Sequence, residues 1–166
     1  MIYSVLYAHL SEIYVKKGDK LVYGDKIGKM GNTGYVIPAP TKENPTAGTH
    51  LHLSVVEGKK TYTWTLASMN SENKPNKQQC LYFLQDNDIF DKKDEVKVTC
   101  GWLGYENHYA YDIVPKNYSY YDIHWNRSFT GTVSAVGYNN GYGNFVVIQY
   151  DTSKKKTVEE LANEVI

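Results

Sequence analysis

Histidines and one nearby carboxylate are the residues of this chain whose types and spacing could do chemistry. His50 and His52 lie in an alternating stretch, so a β-strand would place both imidazoles on one face. His108 precedes Asp112 by four residues in a second strand-like stretch. Two histidines and one aspartate meet the ligand count of a catalytic zinc site, which uses three protein ligands and one water. Each pair is common without a metal, so spacing alone makes this only a candidate site.

Strands must position these side chains, because strand signals dominate the sequence. Six strands are predicted, at Ile2–Tyr7, Thr49–Val56, Val96–Cys100, Tyr109–Val114, Thr132–Val136 and Phe145–Tyr150. Glycines recur every few residues between 15 and 34, which is typical of very short strands joined by tight turns. The turn at Gly31–Gly34 precedes no helix, so we predict a sheet turn rather than a phosphate-binding loop. Residues 138–144 have the turn chemistry of a hairpin.

The remaining segments are predicted to be loops, a connector and one helix. Residues 38–48 hold three of the five prolines and are predicted to form a loop. Residues 67–87 are polar and predict a surface connector. Near the end, Thr157 and Glu160 have capping-box spacing ahead of an apolar stripe at helical period, which predicts a short C-terminal helix.

Composition and charge exclude several classes of protein. The chain has 166 residues, enough for one domain, and its 42% apolar and 22% charged residues argue against wholesale disorder. Eighteen basic residues balance eighteen acidic ones, whereas a dedicated nucleic-acid binder shows a basic excess. No apolar run approaches the roughly 20 residues of a membrane span. The first residues lack the features of a signal peptide, so we expect a soluble chain that does not export itself. Whether Cys80 and Cys100 pair stays open.

A succession of motifs runs through the first third of the chain. They are Tyr7-Ala8-His9-Leu10-Ser11, Val15 with Gly18-Asp19, Gly24 with Ile27-Gly28, Gly31-Asn32-Thr33-Gly34 and Thr49-His50-Leu51-His52-Leu53. This succession resembles the second half of a lysostaphin-type zinc peptidase of family M23, a peptidoglycan-cleaving endopeptidase. The resemblance in this part covers roughly residues 1–58.

Motifs that resemble the first half of the same family lie downstream. They are Thr99-Cys100-Gly101-Trp102, His108 through Asp112-Ile113-Val114, Gly131-Thr132-Val133, Gly141-Tyr142-Gly143-Asn144 and Phe145–Tyr150. The resemblance therefore implies a mainly β fold, an antiparallel sheet and barrel-sandwich hybrid, with its halves in circularly permuted order. The implied peptidase domain spans 1–151, with the second half at 1–58, a connector at 59–94 and the first half at 95–151.

The inverted order has more than one explanation. A circular permutant would break the chain in the hairpin between the Phe145–Tyr150 and Ile2–Tyr7 strands, where permutation is best tolerated. Two truncated tandem domains, or two chains that exchange halves as a dimer, would give the same order. We favour permutation within one monomeric chain because every motif occurs once. Residues 152–166 form a linker and the start of a further module, which resembles the first helix of a CPL-7-type wall-binding repeat.

By motif match, the resemblance implies Zn²⁺ held by His108, Asp112 and His52. His50 and His9 would be unligated catalytic residues, one as general base and the other steadying the oxyanion or protonating the leaving amine. The resemblance does not fix which does which. His124 matches no motif, so we expect a packed or exposed histidine there. Tyr35, Trp102, Tyr105 and Tyr109 are candidates for lining the substrate groove or for packing in the core.

The leading function is a zinc-dependent endopeptidase that hydrolyses peptide bonds of bacterial peptidoglycan, as a phage or bacterial lysin acting on the cell wall. A catalytically silent wall-binding or phage structural module of the same fold is the alternative. A lipoyl-type or sugar-phosphotransferase carrier is a third class of protein. It is suggested by the short strands and recurring glycines of residues 15–34, which also resemble those carrier folds. The lipoyl type needs a lysine at an exposed hairpin tip, and none is identifiable.

Overall fold

The structure is a computed structural model that describes residues 1–59, 74–92, 94–117 and 121–153. Within these ranges every pairing between named strands is antiparallel, which confirms the predicted mainly β, antiparallel fold. The elements, in chain order, are β1 (Ile2–Leu10), β2 (Glu12–Ile13), β3 (Lys20–Leu21), β4 (Lys26–Lys29), β5 (Leu51–Glu57), α1 (Lys77–Leu84), β6 (Val96–Cys100), β7 (Tyr111–Pro115), β8 (Asp122–His124), β9 (Gly131–Asn139) and β10 (Gly143–Asp151). Each of the six predicted strands overlaps an observed one.

A seven-stranded sheet in the order β3-β9-β10-β1-β5-β7-β6 joins the two ends of the described chain. Strand β1 lies at its centre, with Ile2 opposite Asp151 of β10 and Ala8 opposite His52 of β5. Both faces of β1 are buried, because Val5 packs into one apolar cluster while Leu6 packs into another on the opposite face. Because both faces are buried, the residues of β1 form a nearly continuous apolar run in the sequence.

The larger apolar cluster fills the space between this sheet and a three-stranded sheet in the order β2-β4-β8. Trp125, just after β8, is fully buried, and its indole N–H donates to the Phe129 carbonyl at 2.7 Å. The Tyr150 ring of β10 lies 5.6 Å from the Trp125 ring. Strand β10 of the seven-stranded sheet therefore contacts the residue that follows β8 of the three-stranded sheet. This core fixes the sheets relative to each other without involving the histidines.

Helix α1 lies within the stretch that its polar composition predicted to be a surface connector. Asn76 caps the helix, since its side-chain oxygen accepts from the Gln79 backbone N–H at 2.9 Å. Cys80 and Phe83 are fully buried, and the Phe83 ring makes an edge contact with the Tyr7 ring at 6.4 Å. Leu81 and Leu84 pack against the same cluster, so the apolar second half of α1 anchors the helix on the core. This burial was not predicted.

Three further sequence predictions have separate outcomes. Cys80 and Cys100 are both free thiols, which answers the question of their pairing. The predicted helix at 157–166 lies outside the described residues. Across the described ranges, no helix has the length and apolar character needed to cross a membrane.

Candidate metal centre

Strand register brings together two of the three predicted metal ligands. His52 of β5 lies directly opposite Asp112 of β7, so their side chains emerge on the same face of the sheet. His108 lies in the loop before β7, four residues ahead of Asp112, and its side chain is almost fully buried. One ligand atom from each of the three side chains lies within 4.8 Å of the other two. The predicted set of ligands is therefore assembled at one point.

A single carboxylate oxygen is the focus of this cluster. The Asp112 Oδ1 atom lies 3.0 Å from His52 Nδ1, 3.3 Å from His108 Nε2 and 3.6 Å from His50 Nε2. Ligand atoms of a tetrahedral zinc ion, with bonds of about 2.0–2.2 Å, lie about 3.3–3.6 Å apart. The distances between the candidate ligand atoms are thus close to those that such an ion requires.

The hydrogen bond at the other nitrogen of His108 tests whether a metal fits. His108 Nδ1 lies 2.9 Å from the Gly101 carbonyl, which can only accept, so Nδ1 carries the proton. The Nε2 atom of a neutral ring then presents a lone pair towards the Asp112 carboxylate. Two facing acceptors repel unless a cation lies between them, which is either a metal ion or a second proton on His108. Burial would lower the pKa of His108, but its hydrogen bonds with Asp112 and Gly101 and the nearby charge of Asp112 together raise it. A metal ion fits this arrangement, and a backbone carbonyl that orients a ligating histidine is the usual outer-shell partner.

The two histidines predicted to be catalytic lie beside this cluster. His9 Nδ1 lies 2.7 Å from the Thr33 carbonyl, and His50 Nδ1 lies 2.7 Å from the Gly48 carbonyl. Each ring must donate from Nδ1, because a carbonyl oxygen only accepts, so each keeps a lone pair on Nε2. The His9 and His50 ring centroids are 4.7 Å apart. Both imidazoles are therefore oriented by the backbone and have a nitrogen available for proton transfer.

Burial and mutual contacts shift the pKa values of the cluster. Burial lowers the pKa of His9 to about 3, helped by the neighbouring His50 and His52. Burial also lowers the pKa of His52, and this effect outweighs its hydrogen bond with Asp112. Burial would raise the pKa of Asp112, but hydrogen bonds with His108 and His52 hold it well below its usual value. The Asp112 carboxylate is thus ionised, and the His9 and His52 imidazoles are neutral. These are the protonation states of metal ligands and of bases.

His9 occupies an unusual backbone position at the end of β1. Its φ of 64° lies in the left-handed region, where non-glycine residues are uncommon, and the register of β1 with β10 shifts between Tyr7 and Leu10. Its N–H donates to the Tyr142 carbonyl at 2.7 Å. This bulge turns the imidazole towards His50. Such strained positions are concentrated at functional sites.

The turn at Gly31–Gly34 supplies the carbonyl that orients His9. Gly34 has a φ of 79°, and a Cβ atom there would lie 2.2 Å from the Gly143 nitrogen. The Thr33 hydroxyl donates to the Leu10 carbonyl at 2.8 Å and accepts from the Asn144 N–H at 3.0 Å. The turn is therefore packed against the β9–β10 hairpin rather than opening onto a ligand, in agreement with the prediction of a tight turn in a sheet.

Four aromatic residues were candidates for lining a groove, and they divide into two pairs. Tyr35 and Tyr105 are 66% and 55% exposed, and the Tyr105 ring lies 4.5 Å from the His108 ring. Partial burial and the charge of Asp112 raise the pKa of Tyr105 to about 12. Trp102 and Tyr109 are half-buried and contact each other at 5.8 Å. The first pair is therefore exposed, and Tyr105 lies beside a candidate metal ligand.

The fifth histidine belongs to a different part of the molecule. His124 ends β8, and its Nε2 donates to the Asp88 carbonyl while its ring lies 5.8 Å from the Tyr23 ring. It is therefore a packed histidine, as its lack of a motif predicted.

Two residues at the centre were not identified as site residues from the sequence. Cys100 Sγ lies 3.6 Å from His108 Nδ1, on the side of the ring away from Asp112. The Tyr142 ring lies 5.6 Å from the His52 ring. Tyr142 was predicted as part of a hairpin turn, without a role at the site. Both residues lie in motifs that resemble family M23, which was the available signal.

Comparisons with known proteins give partial matches. Residues 2–63 match the family model described as Peptidase family M23, a stretch shorter than half of the chain. An uncharacterized metalloprotease of Buchnera aphidicola is 45% identical over 53 residues, which are 32% of this chain and 11% of that protein. The peptidoglycan DD-endopeptidase ShyA of Vibrio cholerae is 43% identical over 54 residues, which are 32% of this chain and 10% of that protein. No solved structure matches the chain.

The matched region contains part of the candidate centre. It includes His9, His50 and His52, whereas His108 and Asp112 lie outside it. The chain spans about a tenth of the length of these curated relatives. The mainly β, antiparallel architecture is consistent with the fold of an M23 peptidase, and residues 2–63 are similar to that family.

Proposed function

We propose that this protein is a zinc-dependent endopeptidase that hydrolyses peptide bonds in bacterial peptidoglycan. The observation that carries the proposal is the convergence of His52 Nδ1 and His108 Nε2 on the Asp112 carboxylate, with His50 beside them. The similarity of residues 2–63 to family M23, and to a peptidoglycan DD-endopeptidase, supports the class of reaction and of substrate. A cell-wall location of action, as a phage or bacterial lysin, follows from that substrate.

In this proposal His108 Nε2, Asp112 Oδ1 and His52 Nδ1 hold the zinc ion. Zinc bound there would polarise the scissile carbonyl and lower the pKa of a water molecule towards about 7. The protein contributes orientation, since the Gly101 carbonyl fixes the His108 ring and strand pairing fixes His52 against Asp112. The three side chains are buried, so packing restricts their positions even though His108 belongs to a loop rather than to a strand.

His9 and His50 transfer protons in this proposal. Each has its Nδ1–H bound to a backbone carbonyl, which leaves Nε2 to accept a proton from the attacking water and to return one to the leaving amine. The imidazole that does not act as the base would donate to the developing oxyanion in its protonated form. The symmetry of their hydrogen bonds gives no reason to assign either role to one of them.

The test of this function is the release of free amines from purified peptidoglycan sacculi. We expect release by the zinc-loaded protein, near-complete loss after chelation, and recovery when zinc is restored. Folded, zinc-loaded protein that releases no amines from sacculi of several wall types would contradict the proposal. Sedimentation with those sacculi would then identify a catalytically silent wall-binding module.

The order of the chain is a second part of the proposal: the peptidase domain is circularly permuted within one monomeric chain. The neighbouring ends of β1 and β10 support this. The Met1 amino group lies 3.3 Å from the Asp151 carboxylate, and the Thr152 N–H donates to the Met1 carbonyl at 3.2 Å. A two-stranded hairpin could join these ends without moving either strand. The half-exchanged dimer would make the same pairings between two chains.

Reordering the chain tests this proposal. A variant that runs from residue 67 to 166, through a short Gly-Ser linker, and then from 1 to 66 keeps every residue. We expect it to bind one zinc ion and to retain kcat/KM within about tenfold, because the new linker connects the two ends of the sheet that already lie together at Met1 and Asp151. The unaltered protein should have the molar mass of a monomer by light scattering. A dimer, or a reordered chain that does not regain the sheet, would contradict permutation within one chain.

A further inference from the structure

The two nitrogens of the buried His52 ring have different surroundings. Nδ1 faces the Asp112 carboxylate at 3.0 Å, whereas Nε2 is buried and has no hydrogen-bond partner in the described part of the chain. If Nδ1 binds the metal, as proposed above, the proton of the neutral ring must lie on Nε2. A buried N–H without an acceptor is unfavourable because the group has lost its hydrogen bonds to water, so this proton needs a partner.

Tyr142 offers the matching group. Its hydroxyl is also buried without a hydrogen-bond partner among the described residues, and its ring lies 5.6 Å from the His52 ring with the planes inclined at 41°. A phenolic oxygen can accept one hydrogen bond and donate another. The two groups are not hydrogen-bonded to each other directly, but one water enclosed between these adjacent buried rings would satisfy both.

The position of Tyr142 does not depend on its hydroxyl. Its backbone N–H donates to the Asn139 side-chain oxygen at 2.6 Å, and its carbonyl accepts from the His9 N–H at 2.7 Å. The ring also packs in the apolar cluster on the face of the sheet that carries His52, with Phe145 at 6.5 Å. Removing the oxygen alone should therefore leave the backbone and the ring in place.

We propose that Tyr142 is a positioning residue for the metal ligand His52. Its hydroxyl accepts the hydrogen bond of the His52 Nε2–H through one buried water, and so keeps Nδ1 unprotonated and directed at the metal. The inference rests on the proposed function, since it assigns the outer shell of the same zinc site. Loss of such an outer-shell partner weakens metal binding by about 10–100-fold.

The test compares two tyrosine-to-phenylalanine variants. Zinc affinity is measured by competition with a chromogenic chelator, with circular dichroism as the check on folding. We expect Tyr142→Phe to raise the zinc Kd by about 10–100-fold. Tyr7→Phe is the matched control, because the Tyr7 hydroxyl is equally buried and unpartnered within the described residues but packs in the cluster on the opposite face. Its zinc Kd should stay within about twofold of wild type.

The outcomes separate this inference from the proposed function. Wild-type protein that binds zinc, together with an unchanged Kd for Tyr142→Phe, overturns the role of Tyr142 alone. Wild-type protein that binds no zinc overturns the proposed function as well. Long-range ¹H–¹⁵N spectra of the zinc-loaded wild type decide the matter if the variant does not fold. A slowly exchanging proton on His52 Nε2 supports the inference, and a proton on Nδ1 overturns it.

Discussion

Replacing His52 with alanine should remove zinc from the protein and lower free-amine release from sacculi by at least about 10³-fold. The expected loss exceeds the roughly 10–100-fold effect of an outer-shell change, because a direct ligand disappears. It also leaves the Asp112 carboxylate without the neighbour that lies 3.0 Å from it. Zinc content by atomic absorption and amine release by a colorimetric assay would be measured on the same preparation.

His124→Ala is the matched control for that substitution. It removes an imidazole of the same size from β8, where the ring contacts Asp88 and Tyr23 rather than the metal centre. We expect full zinc content and activity from the molecules that remain folded. If His52→Ala kept stoichiometric zinc, or if both variants lost zinc alike, the assignment of His52 as a ligand would be wrong.

Replacing His9 or His50 with alanine should lower activity without removing zinc, unlike the replacement of His52. Each variant should keep stoichiometric zinc but lose about 10²–10⁴-fold in kcat, which is the usual contribution of a positioned general acid or base. The reason is that neither ring supplies one of the three converging ligand atoms, although the His50 Nε2 atom lies 3.6 Å from the Asp112 oxygen. Zinc content and kcat on a soluble stem-peptide substrate would be measured together.

The double variant is informative about how the two histidines cooperate. If they act in one proton-transfer unit, removing both should cost little more than removing the worse of the two. Loss of zinc from His50→Ala would instead place His50 among the ligands. Full activity of both single variants would contradict any catalytic role for them.

Strand placement followed from local pattern, whereas the ligand set followed from the family resemblance. Alternation placed His50 and His52 on one face, and the four-residue spacing of His108 and Asp112 was visible in the sequence. The pairing of His52 with Asp112 could be expected only through the family resemblance, because it joins residues 60 positions apart. Sequence pattern carries little information about contacts at that separation.

Features that depend on distant backbone contacts could not be predicted. The left-handed backbone of His9 is imposed by the bulge against β10, and its tautomer is set by the carbonyl of Thr33. The packing of α1 on the core depends on contacts of Phe83 with Tyr7 and Trp125. The polar composition of residues 67–87 gave no indication of these contacts. In each case the partner lies far along the chain, so neither propensity nor periodicity reports it.

The central place of β1 has a consequence for how the protein matures. Of the described strands, β1 is translated first, yet one of its two neighbours in the sheet is β10, the described strand that is translated last. Until then β1 has an unpaired edge and the apolar side chains of both its faces lack part of their packing, a condition that favours chaperone binding or aggregation. The histidines near the start and the aspartate of β7 can therefore converge only late in synthesis. The proposed peptidase activity would therefore be absent from the nascent chain.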